Sequence, residues 1–224
     1  TILRVKEDYL VDYYKYLDWD GIYHSYTTGS RFWCKIKENV DTLIIPNSIQ
    51  GVPVNEIKCL GILNVKNIII EDGIKTIGMI GCYLYNPDVT ELGFELEKIT
   101  IPDSVTSIGW GAFSHCTGLT SINIPSSVTS IGGKAFYRCT GLTSVNIPSN
   151  VTSIGYEAFS GCTRLTSINI PSSVTSIEGL AFIECTGLTS INIPSSVTSI
   201  DSNAFYGCTN LTITLSKDST LTIP

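Results

Sequence analysis

Apolar residues along most of this chain follow neither a helical period nor a simple alternation. They recur as a block: Leu119, Ile122 and Ile124, then Val128 and Ile131, then Ala135, Phe136 and Cys139. The block returns every 23 residues, so that Phe113, Phe136, Phe159, Phe182 and Phe205 share one column, as do Pro102 to Pro194 and Cys116 to Cys208. Self-similarity at such a period marks an array of stacked units. Within the unit Leu119 to Gly141, the first three apolar residues read as a short strand with its apolar side inward, leaving Ser121 and Asn123 outside. Pro125 ends that strand, because it has no amide to give to a ladder. Val128 and Ile131 read as a second extended segment, and the spacing of Ala135, Phe136 and Cys139 predicts about one turn of helix.

Looser versions of the block lie upstream at Val40, Leu43, Ile45 and Pro46, and at Val65, Ile68, Ile70 and Glu71. The chain therefore divides into two irregular coils over 40–95, five regular 23-residue coils over 96–210, and an altered coil or cap over 211–224, where Leu211, Ile213 and Leu215 alternate plainly. Residues 1–39 carry no repeat and are rich in Tyr and Trp. They read as an N-terminal cap with a hairpin around Thr27–Ser30. The predicted class is an α/β repeat solenoid. One coil alone buries too little apolar surface to offset the ordering of its backbone, so stability belongs to the stack.

Leu119–Cys139 fits the pattern LxxLxLPxSLxxIxxxAFxxC at every named position, with Ile or Val for some Leu. This resembles the repeats of BspA-like bacterial surface proteins, and IPNSIQGVPVNEI at Ile45–Ile57 resembles their early segment. The resemblance covers residues 40–210 and is strongest from 96 onward. It implies a leucine-rich repeat right-handed superhelix, with a parallel sheet of short strands and short helical turns on the opposite side. It also implies a secreted or cell-surface protein of a host-associated microbe or parasite, adhering to host matrix proteins, host cells or another microbe's surface. No reaction is implied. One departure is that Ser104, Ser127, Asn150, Ser173 and Ser196 fill the usual Asn/Cys ladder position and the next apolar residue follows at once, so the turn geometry should differ.

Composition narrows the partners. A net charge of −6 with no basic stripe argues against nucleic acid and against an anionic membrane surface, and no apolar run reaches a spanning length. The chain opens on Thr1 rather than Met, which fits either a processed secreted protein or a recombinant product. Five of the eight cysteines occupy one column, where stacked neighbours lie about 4.8 Å apart with parallel side chains. A disulfide needs the two Cβ atoms turned toward each other, so these cysteines read as reduced core residues. With no CxxC pair and only His24 and His115 as imidazoles, no metal or other cofactor is expected.

No catalytic constellation emerges. His24 and Cys34 are linked only by proximity along the chain, and Asp8, Asp12, Asp18 and Asp20 fit no calcium loop. The Asn150 sequon falls on the internal ladder, which argues against glycosylation there. Two binding surfaces remain. The strand face carries two columns, Ser121, Ser144, Ser167 and Ser190 beside Asn123, Asn146, Asn169 and Asn192, suited to an extended repetitive glycan. The segment around each Phe varies from coil to coil, and its Trp110, Tyr137, Arg138, Tyr156, Ile183 and Tyr206 have the composition of an interface core. These six are the candidate partner-binding residues. End-to-end association of copies through the last coil is a third expectation.

Overall fold

A computed structural model describes residues 2–4, 16–17, 23–24, 31–35, 41–49, 51–61, 65–80 and 95–221. Two parallel ladders run along the stack. The front ladder takes Thr42–Ile45, Asn67–Ile70 and Lys98–Thr100, then, after a break in hydrogen bonding, Ser121–Asn123, Ser144–Asn146, Ser167–Asn169, Ser190–Ile193 and Thr212–Leu215. The side ladder is unbroken from Glu56–Gly61 and Thr76–Ile80 through the two-residue strands Ser107–Ile108, Ser130–Ile131, Ser153–Ile154, Ser176–Ile177 and Ser199–Ile200. Register fixes the coil lengths: Leu43 lies beside Ile68, Ile68 beside Ile99, and Ile122 beside Val145. The final step is one residue shorter, with Ser190 beside Thr212.

Alternation along each front strand puts Ile122, Val145, Ile168 and Ile191 inside and the Ser and Asn residues outside. Val128, Ile131 and their equivalents close the core from the side ladder. Phe113, Phe136, Phe159 and Phe182 are fully buried and continue into Phe205 as one ring stack, with centroids 5.1–5.4 Å apart. Beside it runs the cysteine column. Cys139 donates its thiol to the Phe113 carbonyl at 3.0 Å, and Cys162, Cys185 and Cys208 repeat this one coil further on. The same Phe113 carbonyl accepts the Cys116 amide, so a small apolar side chain with one weak donor suits the position. All five of these thiols are free. Burial pushes Cys116 and Cys162 up to about 12.

Polar side chains also run in ladders. Ser127, Ser173 and Ser196 donate to the Val105, Val151 and Val174 carbonyls of the preceding coil at 2.6–2.8 Å. Asn150 reaches the Ser126 carbonyl instead and is solvent-exposed, so the expectation of an internal side chain there is corrected. Its longer side chain bonds outward rather than folding into the space a serine fills.

The expected helical turns do not form: among the described residues there is no helix, and the α component of the predicted class is withdrawn. The third side of each coil is a chain of tight turns whose amides alternate between two partners. Cys139 donates to the Phe136 carbonyl three residues back, while Phe136 donates across to Ala158 of the next coil at 2.7 Å. Two positions in each of the first four regular coils, and one in the fifth, are left-handed. Lys134, Glu157 and Leu180 with Gly111 form one such column, and His115, Arg138 and Glu184 with Gly161 and Gly207 form the other. Left-handed residues four apart interrupt an α-helix. The Ala, Phe and Cys spacing puts three side chains inward by turns instead.

Upstream, Ile2–Arg4 pairs with Thr42–Ile45 and Arg31–Lys35 pairs with Glu56–Gly61, so the first 39 residues supply the outermost strand of each ladder. The antiparallel pair in this region joins Tyr16–Leu17 to Tyr23–His24. Among the described residues, Tyr23–His24 and Arg31–Lys35, which flank the hairpin expected around Thr27–Ser30, belong to different sheets. Thr27–Ser30 themselves, and Asp8, Asp12, Asp18 and Asp20, lie outside the described residues. The backbones of His24 and Cys34 belong to different sheets. Ser48–Ile49 and Val52–Pro53 form a small hairpin around Gly51, whose φ of 76° a glycine tolerates.

Candidate binding edge

The strand face delivers the two columns read from the sequence. Ser121, Ser144, Ser167 and Ser190 are aligned, as are Asn123, Asn146, Asn169 and Asn192, and all eight are exposed. None of these side chains bonds to another described residue. By contrast, the threonines that flank this face bond along the stack, as Thr143 does to the Thr120 carbonyl and Thr166 to that of Thr143.

The turn edge is built differently. Trp110, Gly133, Tyr156 and Gly179 occupy equivalent positions in successive coils. A Cβ at Gly133 would overlap the six-membered ring of Trp110, so glycine there lets the indole lie over the next coil. Trp110 and Tyr156 meet across that gap, nearly parallel at 12° with centroids 6.5 Å apart. They remain 54% and 39% exposed. Lys134 places its ammonium 5.9 Å from the Trp110 ring and 5.3 Å from the Tyr137 ring, and it pairs with Glu157 at 3.4 Å. Arg138 covers Tyr137 at 5.5 Å, and His115 packs edge-on against that ring. Burial, then the Arg138 charge, pulls the His115 pKa down.

Further along, the carboxylates take over. Glu178 accepts the Tyr156 amide at 2.9 Å, and Asp201 accepts the Asn203 amide at 3.0 Å. A hydrogen bond to Glu157, then burial and the charges of Glu157 and Asp201, raises the Tyr156 phenol. Tyr206 is 68% exposed. Ile183 is half-buried in the column that holds Tyr137 and Tyr206, with the buried Ser160 between Tyr137 and Ile183.

The structure therefore joins Trp110 to Tyr156 and Tyr137 to Arg138, while Ile183 and Tyr206 stand apart from those clusters. The candidate set drawn from sequence omits Lys134 and Gly133. Their signal is in the repeat alignment, since Gly133 vacates the space beside Trp110 and Lys134 follows it by one residue. Among the described residues no three His, Cys, Asp or Glu side chains converge on a metal position, and no helix is long and apolar enough to cross a membrane.

Comparison with known proteins places these coils. The sequence model of the BspA type leucine rich repeat region matches residues 91–212 in six copies. A leucine rich repeat protein of T. pallidum superposes with a TM-score of 0.65 at 23% identity, covering 82% of this chain and 84% of that one, a likeness of fold. Leucine-rich repeat proteins from Bacteroides ovatus (29% identity, TM-score 0.61) and Eubacterium ventriosum (27%, 0.53) cover 81% and 79% of this chain. The chain spans about half the length of each of those two, 47% and 48%. Among curated proteins, none matches the sequence.

Proposed function

Since the chain belongs to the BspA-type leucine-rich repeat family, we propose that it is a non-catalytic, cell-surface or secreted interaction module that grips a macromolecule through its turn edge. The partner class is a host matrix or cell-surface protein, or the surface of another microbe. The observation that carries this reading is the row of exposed rings, Trp110, Tyr156 and Tyr206, on the edge where side chains vary most from coil to coil. Exposed aromatic and Arg side chains are the groups that dominate specific protein interfaces. Repetition along the stack supplies avidity that one weak contact lacks.

Panels of matrix proteins and microbial surfaces, captured by the wild type, by Tyr137→Ser/Arg138→Ser and by Ser144→Ala/Asn146→Ala, test it. Loss confined to the Tyr137/Arg138 variant is expected. Loss confined to the Ser144/Asn146 variant would refute the choice of edge.

A second reading has its own observation: eight aligned Ser and Asn side chains with no bond to the rest of the described protein. That surface fits an extended polysaccharide with a repeating set of hydroxyls. A glycan array probed with the same two variants separates the readings.

A further inference from the structure

The turn edge is divided by charge. In the coils of Phe113 and Phe136 the rings are already served by the chain's own cations, with Lys134 over Trp110 and Tyr137, and Arg138 over Tyr137. In the next three coils the edge carries Tyr156, Ile183 and Tyr206 beside Glu157, Glu178, Glu184 and Asp201, and the equivalent stretches 155–164, 178–187 and 201–210 contain a single cation, Arg164, at the far end of the first. Glu157 is taken by Lys134, whereas Glu178, Glu184 and Asp201 pair with no cation among the described residues.

The repeat itself shows what is missing. Trp110 has a cation from the following coil at position 134, and that cation is held by a carboxylate one coil further, Glu157. Tyr156 occupies the Trp110 position two coils on. Its counterpart of Lys134 is Leu180, and its counterpart of Glu157 is Asn203. The carboxylates have moved instead to positions 178 and 201, where earlier coils have Gly109, Gly132 and Gly155. A Cβ built on Gly179 would lie 3.4 Å from the Asp201 carboxyl carbon, so the notch next to Tyr156 opens onto that acid.

We infer that this half of the edge receives arginine or lysine side chains from a basic segment of a partner protein, each cation stacking on Tyr156 or Tyr206 and pairing with Glu178, Glu184 or Asp201. The inference rests on the reading of the turn edge as the interaction surface and names the chemistry of what binds there. Charge complementarity selects this occupant: exposed rings attract cations through their π faces, and the three uncompensated carboxylates favour a cation over a neutral sugar.

The test is a titration of the whole chain with a short labelled peptide of alternating arginine and glycine, beside the same peptide with glutamate for arginine and a chito-oligosaccharide. The arginine peptide should bind and the glutamate peptide should not. Tyr206→Ala, at a side chain exposed enough to leave the core untouched, should weaken binding about three- to tenfold at unchanged net charge. Glu178→Gln/Asp201→Asn should weaken it by at least as much and flatten its dependence on salt. Lys134→Ala should not weaken it, because that substitution uncovers the Trp110 and Tyr137 rings and frees Glu157. Arginine-peptide binding indifferent to Tyr206→Ala would mean diffuse attraction to an acidic protein and would overturn the inference, as would preference for the oligosaccharide. If edge substitutions abolish capture of a matrix protein or microbial surface while the arginine peptide fails to bind, the basic-segment inference falls and the interaction edge stands. If the peptide binds through Tyr206 and Glu178 but no macromolecule is captured through this edge, the proposed function falls instead.

Discussion

The strand face and the turn edge cover the same core and repeat with the same period, yet one is monotonous and the other changes in every coil. On the strand face the backbone is extended, its ladder uses the main-chain groups, and the outward Ser and Asn side chains are exposed and line up with identical neighbours. On the turn edge every second amide crosses to the next coil, and outward side chains lean onto one another. The turn edge shows that outward side chains can vary from coil to coil without touching the main-chain bonds that hold the coils together. The edge can then carry Trp110 in one coil and Gly133 in the next without disturbing Phe113 or Phe136 beneath.

That independence has a limit set by the Phe column, and removing one ring tests it hardest. Phe159 is fully buried between Phe136 and Phe182, and its carbonyl holds the Cys185 thiol. Phe159→Ala should cost about 3–5 kcal/mol in urea unfolding. Amide exchange should quicken first at Phe136 and Phe159, which donate across the turn edge, and later at the front strands. Equal loss on both sides would erase the distinction.

The thiols beneath the turn edge give the next effect. Burial holds Cys116 and Cys162 at about 12 against the ordinary 9.0. Below pH 9 they are protonated in both the folded and unfolded chain. As pH rises from 9 toward 12 only the unfolded chain ionises, so stability falls by about 1.4 kcal/mol per pH unit for each such thiol. Urea midpoints between about pH 9 and pH 11 should therefore drop less steeply in Cys162→Ala than in the wild type. Parallel slopes would show that the column is open to solvent.

A smaller difference separates the two surfaces directly. Lys134 contacts two rings and Glu157, so Lys134→Ala should cost about 1 kcal/mol, whereas Ser144→Ala and Asn146→Ala should each stay within about 0.5 kcal/mol. Thermal melts of the three variants compare them.

How much of this was legible in the sequence follows the same line. The period, the inward Leu, Ile, Val, Phe and Cys columns and the outward Ser and Asn pairs are written in residue types, because burial selects by hydrophobicity and a strand alternates. The turns were misread as helix because Ala135, Phe136 and Cys139 fit either geometry. What excluded the helix is backbone handedness at Lys134, Arg138, Glu157 and Glu184, residues whose types do not announce a positive φ. Gly161 and Gly207 share the Arg138 and Glu184 column and carried that signal. The cation over Trp110 needed the stack, since Lys134 and Trp110 are neighbours only once 23-residue coils are laid side by side.

The finest test asks whether the left-handed column costs the turn edge anything that the extended strand face is spared. Glu184 sits at φ 58° and is exposed, while Gly161 and Gly207 fill the same position one coil to either side at 69° and 79°. A Cβ in this conformation costs about 1–2 kcal/mol, and glycine returns about 0.5–1 kcal/mol of that through the entropy of the unfolded chain. Glu184→Gly should therefore match or exceed the wild type by up to about 1 kcal/mol, and it should exceed Glu184→Ala by a similar margin. Comparing the two substitutions cancels the lost charge, which is common to both, and leaves only the backbone. If Glu184→Ala proved the more stable of the pair, the turn would not hold its left-handed residue in solution, and its likeness to the Gly161 and Gly207 turns would fail at that coil.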